Sequence, residues 1–181
     1  MTDHRALKMN FEDRRISDPD LIEAILERNH VGTLTFFDEP YPYPVPVHYG
    51  YKRDGDSFTF YFHTAKNGHK LSLIEKNPNI AFNCFLYLNR AGHKKFRNEL
   101  QDYRSVTAFG KAEFLTEDDA DEMLYALNSL QKGGMRAPYK KLPENIFNRL
   151  VMIRLKADIV TAKSNYPISG IDEVPIPPIE D

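Results

Sequence analysis

A run of alternating residues, "VGTLTFFDEPYPYPVPVHYGYKRDGDSFTFYFHTA" over residues 31–65, limits what this chain can become. Alternation of apolar and polar positions marks a half-buried strand, because successive side chains in a strand point to opposite faces. Two turn signals, Asp38-Glu39-Pro40 and Asp54-Gly55, break the run, so it reads as three consecutive antiparallel strands. In the third, Phe58, Phe60 and Phe62 share one face, whereas Thr59, Tyr61 and His63 share the other. Prolines at 40, 42, 44 and 46 remove backbone donors from the middle of the run. That strand must lie at a sheet edge or leave its main chain free for a ligand.

The flanking sequence supplies more strands and a few helices. "SDPDLIEAILERN" has Ser17 or Asp18 to cap a helix, Pro19 in its first turn, and Leu21, Ile22, Ile25 and Leu26 on one face. From Asn67 the period is again helical, with Leu71 and Ile74 on one side and Asn77-Pro78 as the stop. "NIAFNCFLYL" reads as a fourth strand and "YRSVTAFGKAEFL" as a fifth, in which Gly110 marks a bulge or a close backbone approach. Thr116 is placed to cap "EDDADEMLYALNSLQ", with Met123, Leu124, Leu127 and Leu130 facing inward. "ENIFNRL" forms a helical turn or two, and "VMIRLKADIVTAK" a last strand. The polar connection from Asn89 to Asp102, with Lys94, Lys95 and Arg97, reads as a solvated loop, the alternative being a segment that caps a binding site on a second subunit. Five or six mostly antiparallel strands with short helices define a mainly β (α+β) chain and a small closed or nearly closed barrel.

Composition narrows the function classes. A formal net charge of −2 with no long basic block gives nucleic-acid binding little electrostatic support. The first residues lack an apolar core of signal-peptide length and no later run reaches the length of a membrane span, so a cytoplasmic, non-membrane protein is expected. Cys84 is the single cysteine, which rules out a disulfide framework and reads as a core residue. Neither a zinc-type His/Cys spacing nor a GxSxG elbow occurs, so metal chemistry and nucleophilic hydrolysis are not expected.

The stretch "HTAKNGHK", residues 63–70, is where charge collects. Lys66, Gly68, His69 and Lys70 stand where a strand gives way to a helix, so free backbone N–H groups and ammonium charges meet in one small space. Such a turn suits a phosphate, and equally a solvated surface turn.

The order of the parts adds to this. A Pro-Val-Pro-Val strand, the Asp54-Gly55 turn, Phe62-His63-Thr64-Ala65, the Lys-x-Gly-His-Lys turn, Asn77-Pro78 and later Tyr103-Arg104-Ser105-Val106 with Phe109-Gly110-Lys111-Ala112 follow one another. In this the chain resembles the FMN-binding split-barrel superfamily of pyridoxamine 5′-phosphate oxidase-like proteins, and within it the NimA-type 5-nitroimidazole resistance flavoproteins. The resemblance implies a split-barrel domain over residues 14–163, between an N-terminal tail, 1–13, and a proline-rich acidic tail, 164–181, that is expected to add no core. It also implies a homodimer with FMN at the subunit interface, and the charges at Lys66 and Lys70, which would match a terminal phosphate, lead us to expect FMN in preference to FAD or riboflavin. His63, Thr64, Ala65, Lys66, Gly68, His69 and Lys70 would surround the phosphate and ribityl chain. Val45, Pro46, Val47 and His48 would border the isoalloxazine ring, and the partner subunit would contribute around Asn83 and Ser105. The chain departs from the branch at His48, where relatives commonly carry asparagine.

Two function classes follow. One is an FMN-dependent oxidoreductase passing electrons from a reduced nicotinamide to a nitro compound or similar acceptor, with no residue assigned a catalytic role. The other is a non-catalytic flavin-binding or haem-handling protein of the same fold.

Overall fold

The computed structural model describes residues 9, 11–88, 102–131, 137–165, 168, 170, 171 and 174. The strands are β1 (Arg15–Ile16), β2 (Val31–Phe36), β3 (Tyr43–His48), β4 (Gly50–Asp54), β5 (Ser57–Thr64), β6 (Asn79–Leu88), β7 (Asp102–Phe114) and β8 (Val151–Ser164). The helices are α1 (Pro19–Glu27), α2 (His69–Lys76), α3 (Ala120–Ser129) and α4 (Ile146–Arg149). All strand pairings are antiparallel, in the order β3-β2-β6-β7-β8-β5-β4, with β1 added beside β8. No ladder joins the ends, so the barrel is split, in agreement with the mainly β fold class expected.

The alternating run forms four strands rather than three, because its middle strand is divided at Tyr49. The first half pairs with β2 and the second with β5, so one length of chain passes between the two sides of the sheet. Tyr49 turns inward at the bend and is 1% exposed; its hydroxyl donates to the Leu26 carbonyl at 2.8 Å. Gly50 follows because α3 leaves no room: a Cβ there would lie 2.0 Å from Ser129 Oγ and 2.8 Å from the Ser129 carbonyl carbon. The proline-bearing strand is an edge, as its missing donors require.

Local signals place the helices. Asp18 accepts from the Asp20 N–H at 2.9 Å, and Pro19 opens α1. Thr116 and Asp119 form a capping box ahead of α3. The bulge falls between Phe109 and Gly110, where a Cβ would meet the Lys156 carbonyl oxygen at 2.1 Å.

The main core centres on Phe82, whose ring lies 4.8 Å from Phe60, 4.9 Å from Tyr49 and 5.2 Å from Phe62. A second cluster sits outside the sheet beneath α3 and α4, where Tyr61 packs with Met123, Ala126 and Met152. Tyr61, on the His63 face of β5, is therefore buried by α3, and its hydroxyl donates to Glu122 at 2.8 Å. The tail expected to add nothing does add to the main core: Val174 is 1% exposed there and Ile168 packs beside it. Isolated apolar residues among prolines carry no periodicity, so the sequence offered no signal for this. Residues 89–101 of the connection, with Lys94, Lys95 and Arg97, lie outside the described residues.

Candidate functional site

The basic turn begins where β5 outruns its neighbour. β4 pairs with Ser57 to Tyr61 only, whereas β8 accompanies β5 as far as Thr64. His63 and Thr64 thus have a ladder partner on one side and face β3 on the other. Extending the β4–β5 register, in which Gly50 faces Tyr61, by two residues sets His48 opposite His63. Both imidazoles lie on the exposed outer face, while Thr64, on the inner face with Phe60 and Phe62, is buried. The His63 ring is open on its outer side yet flanked by protein; this loss of solvent, then the charges of His48 and Lys70, hold its pKa below the ordinary value.

The turn has the backbone of an anion cradle. Gly68, at φ 157° and ψ 153°, occupies a region that side chains disfavour, and a Cβ there would meet nothing within 4 Å. The conformation, rather than crowding, calls for glycine. No side chain caps α2, so its first N–H groups open toward the turn together with the half-buried Lys70 and the exposed Ala65 and Lys66. The donor set of lysines, imidazole and backbone amides fits a phosphate.

His69 is directed elsewhere. Its Nε2 lies 2.7 Å from Asp38 Oδ2, and its ring meets Tyr43 edge-on at a 5.1 Å centroid separation. The hydrogen bond to His69 is the main cause that holds the Asp38 carboxyl below its ordinary value. His69 therefore fastens the turn to the loop before β3, and its main chain is what it presents to the turn. Asp38 was read only as a turn former; spacing alone carries no hint of this partner.

On β3, Pro46 and His48 face outward, whereas Val45 and Val47 turn inward against the main core. For the valines the ring-bordering assignment is thus reduced to their backbone. Asn83 and Ser105 lie on the same outer face, away from the turn. One register row runs Pro46, Thr33, Asn83, Thr107; two residues along, His48 pairs with Val31 and Phe85 with Ser105. Asn83 Nδ2 donates to Thr107 Oγ1 at 2.8 Å. Around these residues Val31, Phe85 and Tyr87 are 46%, 50% and 48% exposed, and Phe85 stacks on Tyr103 at 5.7 Å. Among the described residues no group of three His, Cys, Asp or Glu side chains is disposed to hold a metal ion, and no helix is long and apolar enough to cross a membrane.

Comparison with known proteins places this arrangement. The pyridoxamine 5′-phosphate oxidase family matches residues 18–164, and the chain belongs to it. Solved structures share the fold. A putative 5-nitroimidazole antibiotic resistance protein from Bacteroides thetaiotaomicron superposes with a TM-score of 0.66 at 24% identity, over 83% of this chain and 86% of that one. The flavocytochrome Anf3 from Azotobacter vinelandii gives 0.67 at 17% identity, over 94% and 79%. An FAD and haem binding protein from Mycobacterium smegmatis gives 0.64 at 16% identity, over 89% and 78%. Among curated proteins no sequence matches the chain.

Proposed function

We propose that this protein is a flavoprotein that holds FMN with its phosphate in the 63–70 turn and its ring along the outer face of β3. It is an oxidoreductase moving electrons from a reduced nicotinamide to a nitro compound or a similar small acceptor, in the cytoplasm. The observation that carries the reading is the meeting of an uncapped helix start, Gly68 and Lys70 with the His48–His63 pair at the split in the sheet. Bound flavin would supply the electron chemistry, and the chain's residues bind and orient it. Lys70 and the turn amides hold charge at the phosphate end, and the outward Pro46 offers a flat apolar wall. The exposed apolar side chains around Phe85 support a second copy of the chain on that face, bringing its Asn83 and Ser105 to the ring.

The visible spectrum of the protein as isolated tests the cofactor. A flavin spectrum bleached by NADH or NADPH and restored by a nitro acceptor is the expected result. A colourless protein that fails to take up FMN refutes the reading, and a monomer with stoichiometric FMN in sedimentation refutes the shared site. A second reading, haem handling, is favoured by the depressed pKa of His63, which keeps an imidazole neutral on an open face. A Soret band in place of the flavin bands would select it.

A further inference from the structure

A cleft of about 430 Å³ opens beside the basic turn, within the ~300–1,000 Å³ typical of small-molecule sites. Its lining combines apolar side chains, Phe114, Phe147 and Leu150 among them, with the polar Lys66, Thr116 and Glu117. Its lining includes Val151, the cross-strand partner of Thr64, so the cleft begins one strand away from the turn. Lys66 belongs to both.

These lining residues together select a ligand. Two aromatic rings with a leucine make a surface for a flat heterocycle. Lys66 supplies one ammonium for a single anionic group. Glu117 and Glu75, both in the lining, would repel a polyphosphate lying in the cleft, but a carboxylate beside Thr116 is suited to accept hydrogen bonds from vicinal sugar hydroxyls. We propose that the cleft binds an adenosine 5′-phosphate group, its phosphate at Lys66 and its base against Phe114 and Phe147.

Two ligands carry that group to this place. One is FAD, whose adenylate half would continue from the flavin phosphate in the turn, so the expected preference for FMN over FAD would hold only if the ligand ended at the turn. The other is the reduced nicotinamide donor. Choosing between them rests on the flavin reading above; the affinity for the adenylate does not.

AMP itself is the probe, titrated calorimetrically into the flavin-free and the FMN-loaded protein. Saturable binding is expected, weakened about tenfold by Phe147→Ser and severalfold by Glu117→Gln, which alters an exposed side chain and leaves the core intact. AMP that competes with FAD but not with FMN assigns the group to the flavin, and AMP that competes with NADH on the FMN-loaded protein assigns it to the donor. Absence of saturable AMP binding, or binding that ignores both substitutions, overturns the proposal. AMP binding by a protein that takes no flavin would uphold the cleft and refute the flavin reading instead.

Discussion

Replacing Lys70 with alanine tests the phosphate assignment where its physical cause is concentrated. Lys70 is the second residue of α2 and half-buried, so its ammonium acts in a partly dry setting beside the uncapped helix start. Its charge is already felt locally, since it is one cause of the depressed His63 pKa. A hydrogen bond to a charged group in such a setting contributes ~1.5–3 kcal/mol. With ~1.4 kcal/mol per factor of ten, FMN affinity should fall about 10- to 150-fold. Lys66 is exposed and held by nothing comparable, so its alanine variant should lose less than about fivefold. Quenching of flavin fluorescence, measured in parallel with FMN and riboflavin at low and high salt, reads both. Riboflavin, which lacks the phosphate, should bind the wild type and Lys70→Ala alike, and the salt dependence of FMN binding should flatten in the variant. By NMR, the His63 ring in Lys70→Ala should titrate nearer its ordinary value, because one of three causes is gone. Equal losses for riboflavin and FMN would show that the lysine shapes the turn rather than reads the phosphate, and the argument would fall.

His48→Asn should leave the melting temperature of the flavin-loaded protein within about 2 °C, as expected for an exposed side chain, while shifting turnover with nitro acceptors. A large stability loss with turnover intact would contradict the outer-face assignment. Gly50→Ala should cost ~1–3 kcal/mol in denaturant unfolding, and adding Ser129→Ala should recover only part of it, because the Ser129 main chain remains within 2.8 Å of the new Cβ. Asp38→Asn should weaken FMN binding two- to fivefold, with the His69→Gln variant adding little on top of it. Since the Asp38 pKa is lowered in the fold, the contribution of this pair to stability is present above the ordinary carboxylate value and disappears as pH falls through the folded one, so wild type and Asp38→Asn should converge in acid.

Which parts of the fold could be read in advance follows from the range of the forces involved. Asp18 with Pro19, the capping pair at Thr116, the Asp54-Gly55 turn and the Gly110 bulge are local signals, and each marks what it should. β1 was missed because two residues carry no period, and Val174 because its burial is decided by the sheet it covers. Tyr61 shows the same limit on β5: alternation correctly separated it from the phenylalanines, but only α3, more than fifty residues later, makes its face a second core rather than a surface. At the site, the residue types and order of the turn were legible, whereas the side-chain directions were not. His69 is basic and sits in the turn, yet its imidazole is taken by a carboxylate 31 positions earlier.

The position of the candidate site follows from how the sheet fails to close. One length of chain, residues 43–54, lies against β2 in its first half and β5 in its second, bending at Tyr49. Beyond that bend β3 and β5 have no ladder between them, although β5 runs on to Thr64. Proline at 44 and 46 gives β3 no N–H at those positions, so a ladder toward β5 would lack donors there. The gap is therefore a property of the sequence and not a defect of packing. Beyond Tyr61 the side of β5 that faced β4 has no ladder partner, and the turn that follows brings Lys66, Gly68 and Lys70 to the same opening. In the proposed flavin reading, a flat, polar-edged ring with an anionic tail would occupy this opening, with the split, the prolines and the basic turn acting together.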